Sequence, residues 1–181
     1  MQSHAVAKAK KPHDMPLSKA AKFTLLGLAG GAITVALILV FNRKQPKVDL
    51  SVFDSPDQPG SGECMDKEFV RMILAIEKDT GHPLREWINS GARSDRHNAK
   101  VGGVRNSAHK IPKCHAGDFQ MPNKTVRDEV VRAAVKVGFK RIGIGRSFIH
   151  LDNDPSLPQP VAWGYPVGSK PPYNPYKRFA A

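Results

Sequence analysis

Residues 140–152 read Lys-Arg-Ile-Gly-Ile-Gly-Arg-Ser-Phe-Ile-His-Leu-Asp. Two short β-rich runs, 140–145 and 147–152, flank a turn at Gly145-Arg146. Side chains alternate along a strand, so the second run puts His150 and Asp152 on one face. Helical periodicity appears on the N-terminal side of this pair. In residues 65–81 the apolar positions Phe69, Met72, Ile73 and Ile76 recur at helical spacing, and Gly81 supplies a stop. In residues 125–138 Thr125 and Asp128 have capping-box spacing, Val130, Ala134 and Val137 line one face, and Gly138 closes the helix. Between the two helices, residues 83–94 read as a short strand running into a loop. The fold class is α+β, a small antiparallel sheet with flanking helices.

The rest of the chain divides by composition. It has 181 residues, with 28 Lys+Arg against 16 Asp+Glu for a formal +12. That length suits one domain plus extensions. Two Cys exclude a multiply bridged disulfide scaffold, and 40% hydrophobic residues exclude a disordered basic tail. Eight of the bases and only Asp14 among the acids lie in residues 1–48, whereas residues 49–181 hold 20 bases and 15 acids. The near-balance of the larger part argues against nucleic acid as a partner.

From Phe23 to Phe41 the chain runs 19 residues without a charge. At ~1.5 Å rise per residue this nearly spans a ~30 Å hydrocarbon core. The run has no polar face and no small-residue cleavage site behind it, so it reads as an uncleaved transmembrane signal anchor. The basic flank, residues 1–22, is expected in the cytoplasm, with the C-terminal domain periplasmic or extracellular. Gly27 and Gly31 form a GxxxG pair that suits either a helix-mediated dimer or a lipid-facing surface. Residues 42–62, rich in Pro, Gly and Ser, read as a flexible linker. The domain is expected over 63–166, followed by a Pro-rich basic tail over 167–181.

Chemistry gathers at three histidine-bearing places: Arg96-His97-Asn98, the run Asn106–Asp118, and Phe148–Asp152. Two His and one carboxylate can hold a catalytic zinc with a fourth position left for water. The metal then polarises a carbonyl and eases deprotonation of that water. No HExxH, P-loop or CxxC pattern competes with this reading.

The ordered segments Ser90-Gly91-Ala92-Arg93-Ser94, His97-Asn98, Val101-Gly102-Gly103, Asn106-Ser107-Ala108-His109, Ala116-Gly117-Asp118, Gly143-Ile144-Gly145, Phe148-Ile149-His150-Leu151-Asp152 and Trp163 carry a resemblance. Together they resemble the zinc D-alanyl-D-alanine carboxypeptidase and L-alanyl-D-glutamate endopeptidase family of peptidoglycan peptidases. The resemblance covers about residues 64–166 and implies a zinc cleft. It implies His109, Asp118 and His150 as zinc ligands, Arg93 as the group that binds a substrate carboxylate or carbonyl, and Ser107 as an aid to substrate binding.

The chain departs from the family pattern twice. Asp118 follows His109 by nine positions where the pattern has seven, in a loop carrying Pro112, Cys114 and His115. His115 is therefore an alternative ligand, ranked below Asp118 because Ala116 and Asp118 keep the A-x-D step. Many relatives also carry an acid three positions before the last His, where this chain has Ser147. Asp152 is then either the general base or a carboxylate that orients an imidazole.

Other residues keep two readings. Arg93 offers a planar fork for a peptide carboxylate, or forms an internal salt bridge. His97 donates to the oxyanion or braces its loop, and Trp163 floors the cleft or belongs to the core. An exported domain meets an oxidising compartment, so Cys64 and Cys114 are expected to pair and fasten the inserted loop to the start of the domain. The resulting expectation is a membrane-anchored zinc peptidase acting on peptidoglycan stem peptides or cross-links. The alternative is a catalytically inactive peptidoglycan-binding or structural module of the same fold.

Overall fold

The computed structural model describes residues 48–180. Helix α1 (Lys67–Thr80) begins where the Asp66 carboxylate accepts a hydrogen bond from the Phe69 N–H, and it ends at Gly81, in the left-handed region at φ 71°. Helix α2 (Asp95–Lys100) is short and capped by Ser94, whose hydroxyl accepts from the His97 N–H. Helix α3 (Lys124–Val137) ends at left-handed Gly138, as its sequence predicts. Its N-terminus differs from the expected capping box. Asn123 is the cap, accepting from the Val126 N–H, so Thr125 already lies inside the first turn.

Five strands form one sheet in the order β1-β2-β4-β3-β5: β1 (Ile88–Ser90), β2 (Ala116–Gln120), β3 (Arg141–Ile144), β4 (Phe148–Asp152) and β5 (Val161–Gly164). The expectation of a purely antiparallel sheet is corrected at one edge. Strands β1, β2, β4 and β3 pair antiparallel, but β5 pairs with β3 in parallel. The chain leaving β4 finds both edges of that strand taken, so it crosses through residues 153–160 to the open edge of β3.

Register sorts the residues between the two faces. Ile142, Ile144, Ile149, Leu151 and Phe119 are fully or almost fully buried, in one cluster with Phe69, Ile73 and Ile76 of α1 and Val130, Val131 and Ala134 of α3. Each buried Val, Leu, Ile or Phe side chain of this cluster contributes ~1.5–3 kcal/mol of burial free energy. The alternate positions form rows across the strands. Asp118, His150, Gly143 and Trp163 make one row, and Ala116, Asp152, Arg141 and Val161 the next.

Two boundaries differ from the sequence expectation. The linker assignment fails over residues 48–62, because Phe53 is fully buried in the core and meets Phe69 edge-on. The Phe53 carbonyl accepts from the Ala92 N–H at 2.8 Å. Pro, Gly and Ser here build tight turns rather than a tether: the Asp54 carboxylate accepts from the Gly60 and Gly62 N–H groups, and Gly60 is left-handed at φ 81°. The C-terminal tail is also docked. Tyr173, Tyr176 and Phe179 pack on the core around α4 (Pro175–Arg178), and the Tyr173 hydroxyl donates to Asp128 at 2.7 Å.

Cys64 and Cys114 are joined by a disulfide with Cα atoms 5.8 Å apart, as expected. The Asp66 N–H donates to the Cys114 carbonyl beside it, so the inserted loop is tied to the start of α1 twice. Among the described residues no helix is long and apolar enough to cross a membrane. The expected anchor over 23–41, with Gly27 and Gly31, and the tail over 1–22 lie outside the described residues.

Phe53→Ala is expected to lower unfolding free energy by about 3–5 kcal/mol in urea titration, the cost of emptying a fully buried phenylalanine site. A loss below ~1 kcal/mol would restore the linker reading.

Candidate metal centre

Asp118 on β2 and His150 on β4 are direct cross-strand partners, and His109 reaches them from the preceding loop. Two contacts fix the His109 loop. Ser107 Oγ accepts from the His109 N–H at 3.3 Å, and the Arg93 N–H donates to the His109 carbonyl at 2.8 Å. His109 Nδ1 donates to the Gly91 carbonyl at 2.7 Å, which leaves Nε2 facing the cluster. That nitrogen is 3.2 Å from His150 Nδ1 and 3.3 Å from an Asp118 oxygen. His150 Nδ1 lies 2.8 Å from the other Asp118 oxygen, while its Nε2 is 3.0 Å from Asp152. One ligand atom from each of His109, Asp118 and His150 lies within 4.8 Å of the others.

This donor set fits zinc. Two imidazole nitrogens and a carboxylate oxygen converge, and each imidazole has its outer nitrogen tied to an oxygen that fixes the ring. Both rings are nearly excluded from solvent. Burial pushes His109 below the usual histidine range, and the Asp118 charge offsets only part of that shift. Burial opposes charge on His150 too, but hydrogen bonds to Asp118 and Asp152 outweigh it and hold the ring up to about 9. Asp118 is also buried, yet its pairing with the two histidines keeps its carboxyl well below the usual carboxylate range.

The other expected residues fall into place unequally. Arg93 uses Nη2 to pair with Asp118 and Nε to donate to Ser90 Oγ at 2.8 Å, so the salt-bridge reading is realised at the edge of the cluster. Ser107 braces the backbone of His109. The Trp163 ring lies against His150, with centroids 5.3 Å apart, which makes it a wall of the centre. Asp152 takes the orienting position: it accepts from His150 and is gripped by Arg141 Nε at 2.8 and 3.0 Å. Among the described residues no hydrogen bond joins the His97 ring to the cluster; its backbone N–H caps onto Ser94 instead. His115 is turned away, with Nδ1 3.0 Å from Asn153 and 3.7 Å from Asp66, so the alternative ligand is set aside.

Two participants were missed in the sequence. The Gly91 carbonyl fixes the His109 tautomer, and its residue must be glycine because a Cβ would come within 2.5 Å of the Phe53 carbonyl. Arg141 had a signal. A turn at Gly145-Arg146 that pairs Ile144 with Ile149 also pairs Arg141 with Asp152.

A family model described as Peptidase M15 matches residues 43–152, more than half of the 181-residue chain. No curated protein and no solved structure matches the chain.

Metal ligands must be deprotonated, so zinc binding near neutral pH is expected to release about one proton, from His150. Because the pKa of this ligand is raised, apparent zinc affinity should climb about tenfold per pH unit. The climb is expected to run from pH 6.5 and level off as pH passes about 9. Chelator-competition titration checks this, and an affinity flat across that window contradicts it.

Proposed function

Since the chain belongs to the peptidase M15 family, a family of zinc-dependent hydrolases, we propose that it hydrolyses peptide bonds in peptidoglycan stem peptides or cross-links. The observation that carries this reading is the convergence of His109 Nε2, Asp118 and His150 Nδ1 with both outer imidazole nitrogens anchored. When bound there, zinc supplies Lewis-acid polarisation of the scissile carbonyl and eases deprotonation of the attacking water.

The chain's own groups supply the rest. Asp152 accepts from His150 Nε2–H and so keeps the Nδ1 lone pair on the cluster side. Arg93 brings a guanidinium, mostly shielded from solvent, to the edge of the carboxylate ligand. Two of its nitrogens are engaged by Asp118 and Ser90, and its remaining donor capacity suits the carboxylate or carbonyl of a peptide substrate. Trp163 covers the His150 ring and keeps bulk water off that side.

The proposal places residues 23–41 in a membrane as a signal anchor and the domain on its periplasmic or extracellular side. The Cys64–Cys114 disulfide supports an oxidising compartment. A second reading has one observation in its favour. Asp152 is committed to Arg141 and position 147 is Ser, so the carboxylate nearest the ligands is not free to move a proton. This reading gives a peptidoglycan-binding module that does not cleave.

Incubation of purified peptidoglycan with the chain is expected to release fragments bearing new amino and carboxyl termini, identified by mass. Chelator should stop the release and zinc restore it, and His109→Ala or His150→Ala should abolish both zinc content and cleavage. Sedimentation with peptidoglycan without new termini favours the binding module, and undiminished cleavage by metal-free His150→Ala overturns the peptidase.

A further inference from the structure

The His150 ring is held from several sides. Its Nδ1 edge faces Asp118, its Nε2 edge meets Asp152 at 3.0 Å, and the Trp163 ring lies beside it, tilted by 50° with ring centroids 5.3 Å apart. Two of these neighbours, Asp152 and Trp163, are themselves touched by one side chain. Arg141 Nε donates to both Asp152 oxygens at 2.8 and 3.0 Å, and the Arg141 guanidinium carbon sits 5.5 Å from the centroid of the Trp163 ring. Nη1 of the same group donates to the Pro158 carbonyl, in the crossover that leads to β5. Arg141 and Asp152 are both largely shielded from solvent, so the pair is not loosened by water.

We infer that Arg141 is a positioning residue that holds the metal-facing orientation of His150 from the next strand, through Asp152 at the ring's edge and Trp163 beside it. This inference rests on the proposed zinc site. Its physical basis is the carboxylate's freedom to rotate. Asp152 Oδ2 serves both His150 and Arg141, while Oδ1 serves Arg141 and the Asp154 N–H. With the guanidinium in place, rotation of the carboxylate costs the charge-assisted hydrogen bond that the Arg141 Nε–H shares between its two oxygens, as well as the one to His150. Without it, Asp152 is held only by the imidazole and one backbone amide, and the imidazole is held no better than the carboxylate. The cross-strand register makes the arrangement compact. Arg141 pairs with Asp152, and Gly143 separates His150 from Trp163, where a Cβ would come within 2.9 Å of the indole. Lysine would keep a charge beside Asp152 but lose the planar group that reaches Asp152, the Pro158 carbonyl and the Trp163 ring together.

The test compares Arg141→Gln and Arg141→Lys with the unaltered chain. Zinc dissociation constants come from chelator competition, and ligand geometry comes from the visible spectrum of the cobalt(II)-substituted protein. Loss of a group that orients a metal ligand weakens binding by about 10–100-fold. Arg141→Gln is expected in that range with an altered cobalt spectrum, and Arg141→Lys between it and the unaltered chain. Arg127→Gln is the control. Arg127 is another buried arginine, which donates to the Gly145 and Arg146 carbonyls. Its loss should lower thermal stability and leave zinc affinity and spectrum unchanged. Arg141→Lys retains the charge and decides the matter if Arg141→Gln does not fold. Unchanged zinc affinity and cobalt spectrum in the folded Arg141 variants overturn the inference, provided His150→Ala loses zinc. Zinc retained by His150→Ala overturns the site itself, so the two failures are separable.

Discussion

Asp118 and His150 face each other across β2 and β4, and this pairing of a buried carboxylate with a buried imidazole constrains everything around it. Removing a carboxylate from water costs several kcal/mol unless charge and hydrogen bonds replace the lost hydration. Asp118 receives that replacement from His150, His109 and Arg93. Each of these must in turn be held: His109 by the Gly91 carbonyl, Arg93 by Ser90, and His150 by Asp152. The centre is therefore a nested set of polar contacts, costly to disturb one member at a time.

The sheet makes the nesting possible by separating two tasks between its faces. One face is aliphatic and aromatic and is covered by α1 and α3. The other carries the rows Asp118-His150-Gly143-Trp163 and Asp152-Arg141. A register slip of one residue would turn the charged row into the core and the isoleucines outward. The same hydrophobic burial that stabilises the domain therefore sets the relative positions of the polar groups.

The segment leading into the domain contributes more than its composition suggests. Phe53 sits in the core, and its carbonyl holds Ala92, next to the Gly91 carbonyl that orients His109. Ser55 Oγ accepts from the Ser94 N–H, and Asp57 accepts from Ser94 Oγ on the same loop. From the other end of the inserted loop, the Cys64–Cys114 disulfide restrains the chain between His109 and Asp118. The loop between His109 and Asp118 is thus tied down at Cys114 and resumes as strand at Ala116, which holds both side chains in the cluster.

The sequence by itself determined the two long helices, whose apolar period and terminal glycines need no distant partner. It also determined the short strand bearing His150 and the three residues that converge, because two histidines and a carboxylate stand there in an ordered motif, whereas Asp118 read as part of a loop and only the structure puts it on a strand. It could not distinguish a Pro/Gly/Ser tether from a series of packed turns: both use the same residues, and the difference lies in whether one phenylalanine finds a cavity. The parallel edge of the sheet, the docking of the C-terminal aromatics, and the commitment of Asp152 to Arg141 were likewise decided by tertiary structure. Each depends on which surface remains open after the other elements have paired, a property of the assembled chain that no local window of sequence contains.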